Sequence, residues 1–153
     1  MLDKFDHGLL NEIQRDGLAT ADTLAQSVAL SPSAIARRLR RLRAEGWLGR
    51  TVALLGSRLT EGRLRALVLV QLTEHADRTG KAALLEKLDA AETVQWVLEI
   101  SGEHDLALLL DCRSMDAFVA EAETLLAGSP VVRRYETSFV KRSWKFAPFV
   151  RLD

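Results

Sequence analysis

Residues 20–42 read TADTLAQSVALSPSAIARRLRRL, and this stretch decides the fold of the first half of the chain. Thr20 is a good N-cap, and Leu24, Ala25 and Val28 follow at helical spacing, which predicts a short helix over roughly 21–29. Ser31-Pro32 is a second start signal, with serine at the cap and proline at the first helical position. The helix it opens is expected to run to about Glu45 and to stop at Gly46. Two short helices in close succession need a small residue at their crossing, here Ala25. They also need an apolar clamp, here Leu24, Val28, Leu30, Ile35 and Leu39. Ile35, Leu39 and Leu42 recur at i, i+4 and i+7 and turn inward, leaving Ser33, Ala34, Arg37, Arg38 and Arg41 on the outward side. A helix with small residues at its N-terminus and arginines one turn later can enter a DNA major groove, where arginine bonds guanine edges in bidentate fashion. On this reading double-stranded DNA is met by Ser31, Ser33, Ala34, Arg37, Arg38, Arg40, Arg41 and Arg43, some on bases and the others on phosphates. The plainer alternative is a solvated arginine-rich face on a three-helix bundle. Against it, Arg37, Arg38, Arg40, Arg41, Arg43 and Arg50 fall within fourteen residues in which Glu45 is the only acid.

The bulk numbers agree with a local footprint of this kind. Net charge is zero, which speaks against a generic polycation, yet residues 1–63 hold 10 Lys/Arg against 7 Asp/Glu and residues 64–153 hold 11 against 14. Apolar residues make up 48% and charged residues 27%, an ordinary globular mixture. Cys112 is the single cysteine, so no intrachain disulfide can form, as suits a reducing compartment. The opening MLDKFDHGLL is no basic-then-apolar leader, and the longest apolar runs are far too short to span a bilayer. A cytoplasmic protein without membrane contact is the expectation.

Outward from the arginine helix, Leu2, Phe5, Leu9, Leu10 and Ile13 predict an amphipathic helix over 3–15, closed by Asp16-Gly17. Trp47 to Leu55 reads as a short β-hairpin, and a Gly/Ser/Arg-containing connector at 56–65 marks a boundary between domains 1–63 and 64–153. The second half then reads strand (66–73), helix (79–91), strand (93–101), turn, strand (105–112), helix (114–127) and strand (131–142). That order, β-α-β-β-α-β, is the ferredoxin-like arrangement, so the fold class is α+β. Helices on one face of such a sheet leave the other for a partner, and Val68, Val70, Val97, Leu108 and Leu110 are candidate strand positions.

The pieces LDKFDHGLLNEIQRDG, LAQSVALSPSAIARRLRRLRAEGWL and SGEHDLALLL together resemble the Lrp/AsnC family, the leucine-responsive or feast/famine regulators of prokaryotes. The resemblance covers about residues 2–142. It implies a winged helix-turn-helix head and a ferredoxin-like effector domain that pairs into dimers, often tetramers or octamers. It also implies an amino-acid effector near the strand-turn-strand loop. Carried over onto this chain, the effector residues are Ser101, Gly102, Glu103, His104, Asp105 and, in the last strand, Thr137. Glu103 stands where aspartate is usual, His104 where an aromatic or aliphatic residue is more common, and Ala29 where glycine usually separates the helices. A carboxylate suits an α-ammonium, while a glycine N–H and a hydroxyl suit an α-carboxylate. The same residues also have plain roles, a tight turn for Gly102 and strand propensity for Thr137.

Other chemistries find little support. His7, His75 and His104 have no companions at metal-ligand spacing, Gly46-x-x-Gly49 follows a helix instead of opening one, and no nucleophile elbow is present, so neither metal, cofactor nor enzyme activity is expected. Trp47, Trp96 and Trp144 read as packing or interface residues. Two rivals to a DNA-binding regulator share the architecture. One is a sirohaem decarboxylase-like subunit, whose sheet-domain His and Arg are missing from the first strand ALVLVQL; the other is a stand-alone ligand-sensing oligomer.

Overall fold

A computed structural model describes residues 1–73 and 78–153, which form two compact units. The first comprises Met1–Leu54 together with Lys145–Asp153. Helix α1 (Lys4–Ile13) starts at a capping box: Asp3 accepts the Asp6 N–H at 2.9 Å, and Asp6 accepts the Asp3 N–H at 3.1 Å. Helix α2 (Ala21–Leu24) is capped by Thr20 and is shorter than expected, because Gln26 and Ser27 donate to carbonyls three residues back and tighten the chain out of α-geometry. Ala29 needs no left-handed backbone, since no described non-glycine residue has positive φ, so the turn closes without the glycine usual there. Helix α3 (Pro32–Ala44) has Ser31 as its cap. It ends in a Schellman motif, with Trp47 N–H bonded to Leu42 O, Gly46 N–H bonded to Arg43 O, and Gly46 at φ 76°. Leu9, Leu10, Ile13, Leu24, Val28, Ile35, Leu39 and Leu42 form the core of this unit.

The hairpin expected at Trp47–Leu55 is not formed: 49–56 carry no strand and are exposed throughout. Val52, Leu54 and Leu55 find no apolar surface to cover them, at 61, 71 and 68% exposure, and no tight turn sequence pins a register. The last nine residues also depart from the expected division at 63/64. They group with the first unit, where Leu152 packs against the α1–α3 core.

The second unit, Leu55–Trp144, holds a one-turn helix α4 (Ser57–Thr60) followed by β1 (Leu64–Leu72), α5 (Arg78–Ala90), β2 (Val94–Glu99), β3 (Leu106–Cys112), α6 (Met115–Ala122) with a π-turn over Glu123–Ala127, and β4 (Val132–Phe139). Strand order is β2-β3-β1-β4 with every pair antiparallel, as a ferredoxin-like domain requires. Ala66, Val68 and Val70 alternate with partly covered neighbours, and with Leu106, Leu108 and Leu110 they are sealed beneath Leu84, Leu88, Phe118 and Leu126 of the helix layer. Val68, Val70, Leu108 and Leu110 therefore face inward, and Val97 packs against the same core. Side chains paired across strands share a face. The register Leu67↔Leu109, Leu69↔Ala107, Trp96↔Leu109 and Leu98↔Ala107 thus places six apolar residues on the side away from the helices.

Candidate nucleic-acid interface and effector turn

Asp6 is the organising residue of the head. Its side chain is 1% exposed and lies between α1 and α3, where Arg38 donates to Oδ1 at 2.8 Å and Arg41 donates to Oδ2 at 2.5 Å. Arg38 also donates to Asp3 at 2.7 Å and lies over the Phe5 ring, 5.6 Å from its centroid. Burial pushes the Asp6 carboxyl up, but the Asp3 N–H and the two guanidinium groups outweigh it and hold it below its ordinary value of 3.8. The Asp6 N–H and Arg38 likewise lower Asp3, and the paired carboxylates raise Arg38.

This network divides the arginine cluster and corrects the expectation that Arg38 and Arg41 stand free on the outward face. At about 100° per residue Arg38 lies only about 40° around the helix from Leu42, on the flank that meets α1. Ser33, Arg37, Arg40 and Arg43 are exposed, Ala34 is partly covered, and the side chains of Arg37, Arg40 and Arg43 have no bonded partner among the described residues. Ser31 closes the N-terminus, its Oγ taking the Ala34 N–H at 3.4 Å and lying 3.2 Å from Ser33 Oγ. The result is a helix N-terminus with partial positive charge followed by three unpaired guanidinium groups, held by two further arginines that are engaged from behind.

The expected effector residues are gathered only in part. Ser101, Gly102 and Glu103 are exposed in the β2–β3 turn, with Gly102 at φ 135°. Asp105 is committed to the sheet: its carboxylate accepts the Leu72 N–H at 2.7 Å, beside the β1–β4 register shift at Gln71/Leu72 that takes this amide out of the ladder. Thr137 pairs with Val68, on the helix-facing side, and is not brought to the turn within the chain. The turn instead meets two β4 residues with no clear sequence signal. Arg134 donates to Glu103 and to Gln71, each at 2.9 Å, and His104 Nε2 lies 3.8 Å from Glu136. His104 is 11% exposed, and its Nε2 is buried with no hydrogen-bond partner. His75 lies outside the described residues, and no metal-competent group of His, Cys, Asp or Glu occurs among the described ones. Burial raises the Cys112 thiol, as expected of an inert core cysteine. Among the described residues no helix is long and apolar enough to cross a membrane.

Residues 2–48 match the model of a winged helix-turn-helix DNA-binding domain, and residues 65–148 match that of the Lrp/AsnC ligand-binding domain. The chain belongs to the Lrp/AsnC family. It is 32% identical to the leucine-responsive regulatory protein of Salmonella typhimurium over 76% of this chain and 71% of that one. It is 25% identical to the transcriptional regulator AzlB of Bacillus subtilis over 100% and 97%. A transcriptional regulator of Neisseria meningitidis solved in complex with L-methionine superposes with a TM-score of 0.87 at 27% identity, covering 98% of this chain and 96% of that one. An AsnC family regulator from Agrobacterium tumefaciens has the same fold, with a TM-score of 0.86 at 21% identity over 97% and 96%. The protein is a helix-turn-helix transcription regulator of the Lrp/AsnC type, as its relatives from Salmonella typhimurium and Bacillus subtilis are regulators.

The Asp6 network sets a pH dependence. Because the folded-state value is depressed, its stabilisation is complete above 3.8 and is lost as pH falls through the lower folded value. Melting temperature should therefore drop more steeply below about pH 4.5 in the wild type than in Asp6→Asn. At neutral pH Asp6→Asn should cost about 2 kcal/mol, less than the roughly 3–5 of a fully buried pair because both arginines reach solvent. Parallel pH–melting curves of the two proteins by circular dichroism check both points.

Proposed function

We propose that this regulator reads double-stranded DNA through Ser33, Ala34, Arg37 and Arg40, with Ser31 and Arg43 on the flanking phosphates. Arg38 and Arg41 act from behind by fixing α3 on α1. The observation that carries this reading is the division of the cluster, in which the inner arginines are bound to Asp6 and the outer ones are unpaired and exposed. A solvated face would leave no reason for so uneven a distribution of acids. Arg37→Ala should cost about 1–3 kcal/mol in DNA affinity and relax preference at one base position. Arg43→Ala should weaken all sequences alike and reduce the salt slope by about one unit. Gel shifts of both variants over a salt series on the protein's own upstream DNA check this, and equal binding of Arg37→Ala/Arg40→Ala and wild type would reject it.

The apolar sheet face of Leu67, Leu69, Trp96, Leu98, Ala107 and Leu109 supports a homodimer, with larger even-numbered assemblies built from it. Two-fold symmetry then places two reading helices on a roughly palindromic operator. Light scattering should return at least twice the 17.0 kDa chain mass, and Leu98→Arg should shift the particle toward the monomer.

The sensed molecule is an amino acid bound at the turn of Ser101–Asp105 and completed by a second chain, which is also where Thr137 could contribute. The unpartnered His104 Nε2 beside Glu136 and Arg134 favours a ligand with polar groups, and the L-methionine complex of the Neisseria meningitidis relative makes methionine the first to try. A cytoplasmic location fits such a sensor. At about a hundredfold over its Kd such a ligand adds about 2.7 kcal/mol to the folded state. A melting screen of the twenty amino acids should show one or a few that stabilise, and His104→Ala should abolish that shift. His104 is the residue to change, since Asp105→Ala would also strip the Leu72 amide of its acceptor.

A further inference from the structure

The segment 149–153 lies along α1 in a matched set of contacts. Asn11 donates Nδ2–H to Leu152 O at 2.8 Å and accepts the Leu152 N–H at 2.9 Å. Gln14 repeats the pattern one step on, donating to Val150 O at 2.9 Å and accepting the Val150 N–H at 2.9 Å. Each amide thus satisfies both backbone groups of one residue. In an extended chain the N–H and C=O of alternate residues point the same way, about 6.6 Å apart. Side chains three apart on a helix are neighbours at about 5–6 Å, so Asn11 and Gln14 match the spacing of residues 150 and 152. The series continues at both ends, with His7 Nδ1 bonded to Asp153 O and the Arg15 guanidinium 4.9 Å from the Phe149 ring. Leu152 packs against the head core between them.

We propose that the outer face of α1 and the turn that closes it (His7, Asn11, Gln14, Arg15) form a docking site for an extended peptide, and that its occupant is the chain's own segment 149–153. Docked there, the segment is a second tether on the DNA-reading head. The first connection enters the sheet unit at Leu55, ahead of β1, whereas this one leaves it after β4. Because α1 also carries Asp3 and Asp6, which hold Arg38 and Arg41, its two sides connect the tether to the reading helix. The peptide is recognised through its backbone, with Leu152 packed against the head core and the Phe149 ring against Arg15. The regulatory part of this inference rests on the DNA reading proposed above; the docking part does not.

The test compares full-length wild type, Asn11→Ala/Gln14→Ala, Leu152→Ala and a chain truncated after Trp144. Trypsin should cleave after Lys145 faster in both substituted proteins than in wild type. DNA affinity should fall by about threefold to tenfold in each of the three altered proteins, by loss of preorganisation. Adding the Asn11/Gln14 changes to the truncated chain should produce no further loss, because the two act on one contact. A synthetic peptide of residues 145–153, at millimolar concentration, should restore affinity to the truncated chain but not to its Asn11→Ala/Gln14→Ala form. Unchanged proteolysis in the substituted proteins would overturn the docking site. Faster proteolysis with unchanged DNA affinity would overturn the tether. If wild type itself binds no DNA, the DNA reading fails, and proteolysis still decides the docking site.

Discussion

A carboxylate with 1% of its side chain exposed is costly unless its charge and lone pairs are met, and the head of this protein is arranged around meeting those of Asp6. The Asp3 N–H and the guanidinium groups of Arg38 and Arg41 converge on it, so α1 and α3 are joined by directional bonds as well as by the Leu9, Ile35 and Leu42 core. Apolar packing alone tolerates sliding and rotation, whereas this network does not. The rotation of α3 about its own axis is thereby set, and with it the direction of Arg37 and Arg40. One capping box thus serves two ends: it starts α1 and orients the helix that reads DNA.

The sheet unit shows a comparable economy. Its helix-facing layer is closed, whereas its other face is apolar, with Leu98 exposed and Leu67, Leu69, Trp96 and Leu109 partly so, an unfavourable end state for a single chain. At the end of that sheet, the β1–β4 register shift leaves the Leu72 amide to Asp105, while Arg134 of β4 donates to both Glu103 of the turn and Gln71 of β1. The turn is therefore tied to the rest of the sheet by polar contacts and retains one unsatisfied nitrogen, on His104. A buried nitrogen without a hydrogen-bond partner is costly, which makes His104 the exception among the polar groups that tie this turn to the sheet.

Much of the architecture was legible from local signals. Thr20, Ser31-Pro32 and Gly46 mark helix ends because capping depends on a few adjacent residues, and Leu64–Leu72 shows its strand character through period-two alternation. The position of Arg38 was also recoverable, since the helical repeat puts it on the Leu42 flank. The i, i+4, i+7 set marks the centre of the buried face and not its flanks, where an arginine can meet an acid of the neighbouring helix. The hairpin at 47–55 failed for the opposite reason, as strand propensity is not enough where nothing in the chain covers the strand.

Sequence by itself determined the family, the two-part organisation, the order of strands and helices, and the helix that carries the arginines, all of which follow from periodicity, caps and composition within short windows. Only the tertiary structure decided which arginines are free, because that depends on where the acids of α1 come to rest. It alone removed Thr137 from the turn, because facing follows from strand register, and it alone committed Asp105 to Leu72, because a register shift exposed that amide. The return of segment 149–153 to α1 was likewise hidden, since Asn11 and Gln14 are ordinary polar helix residues until an extended chain more than 130 positions away lies beside them.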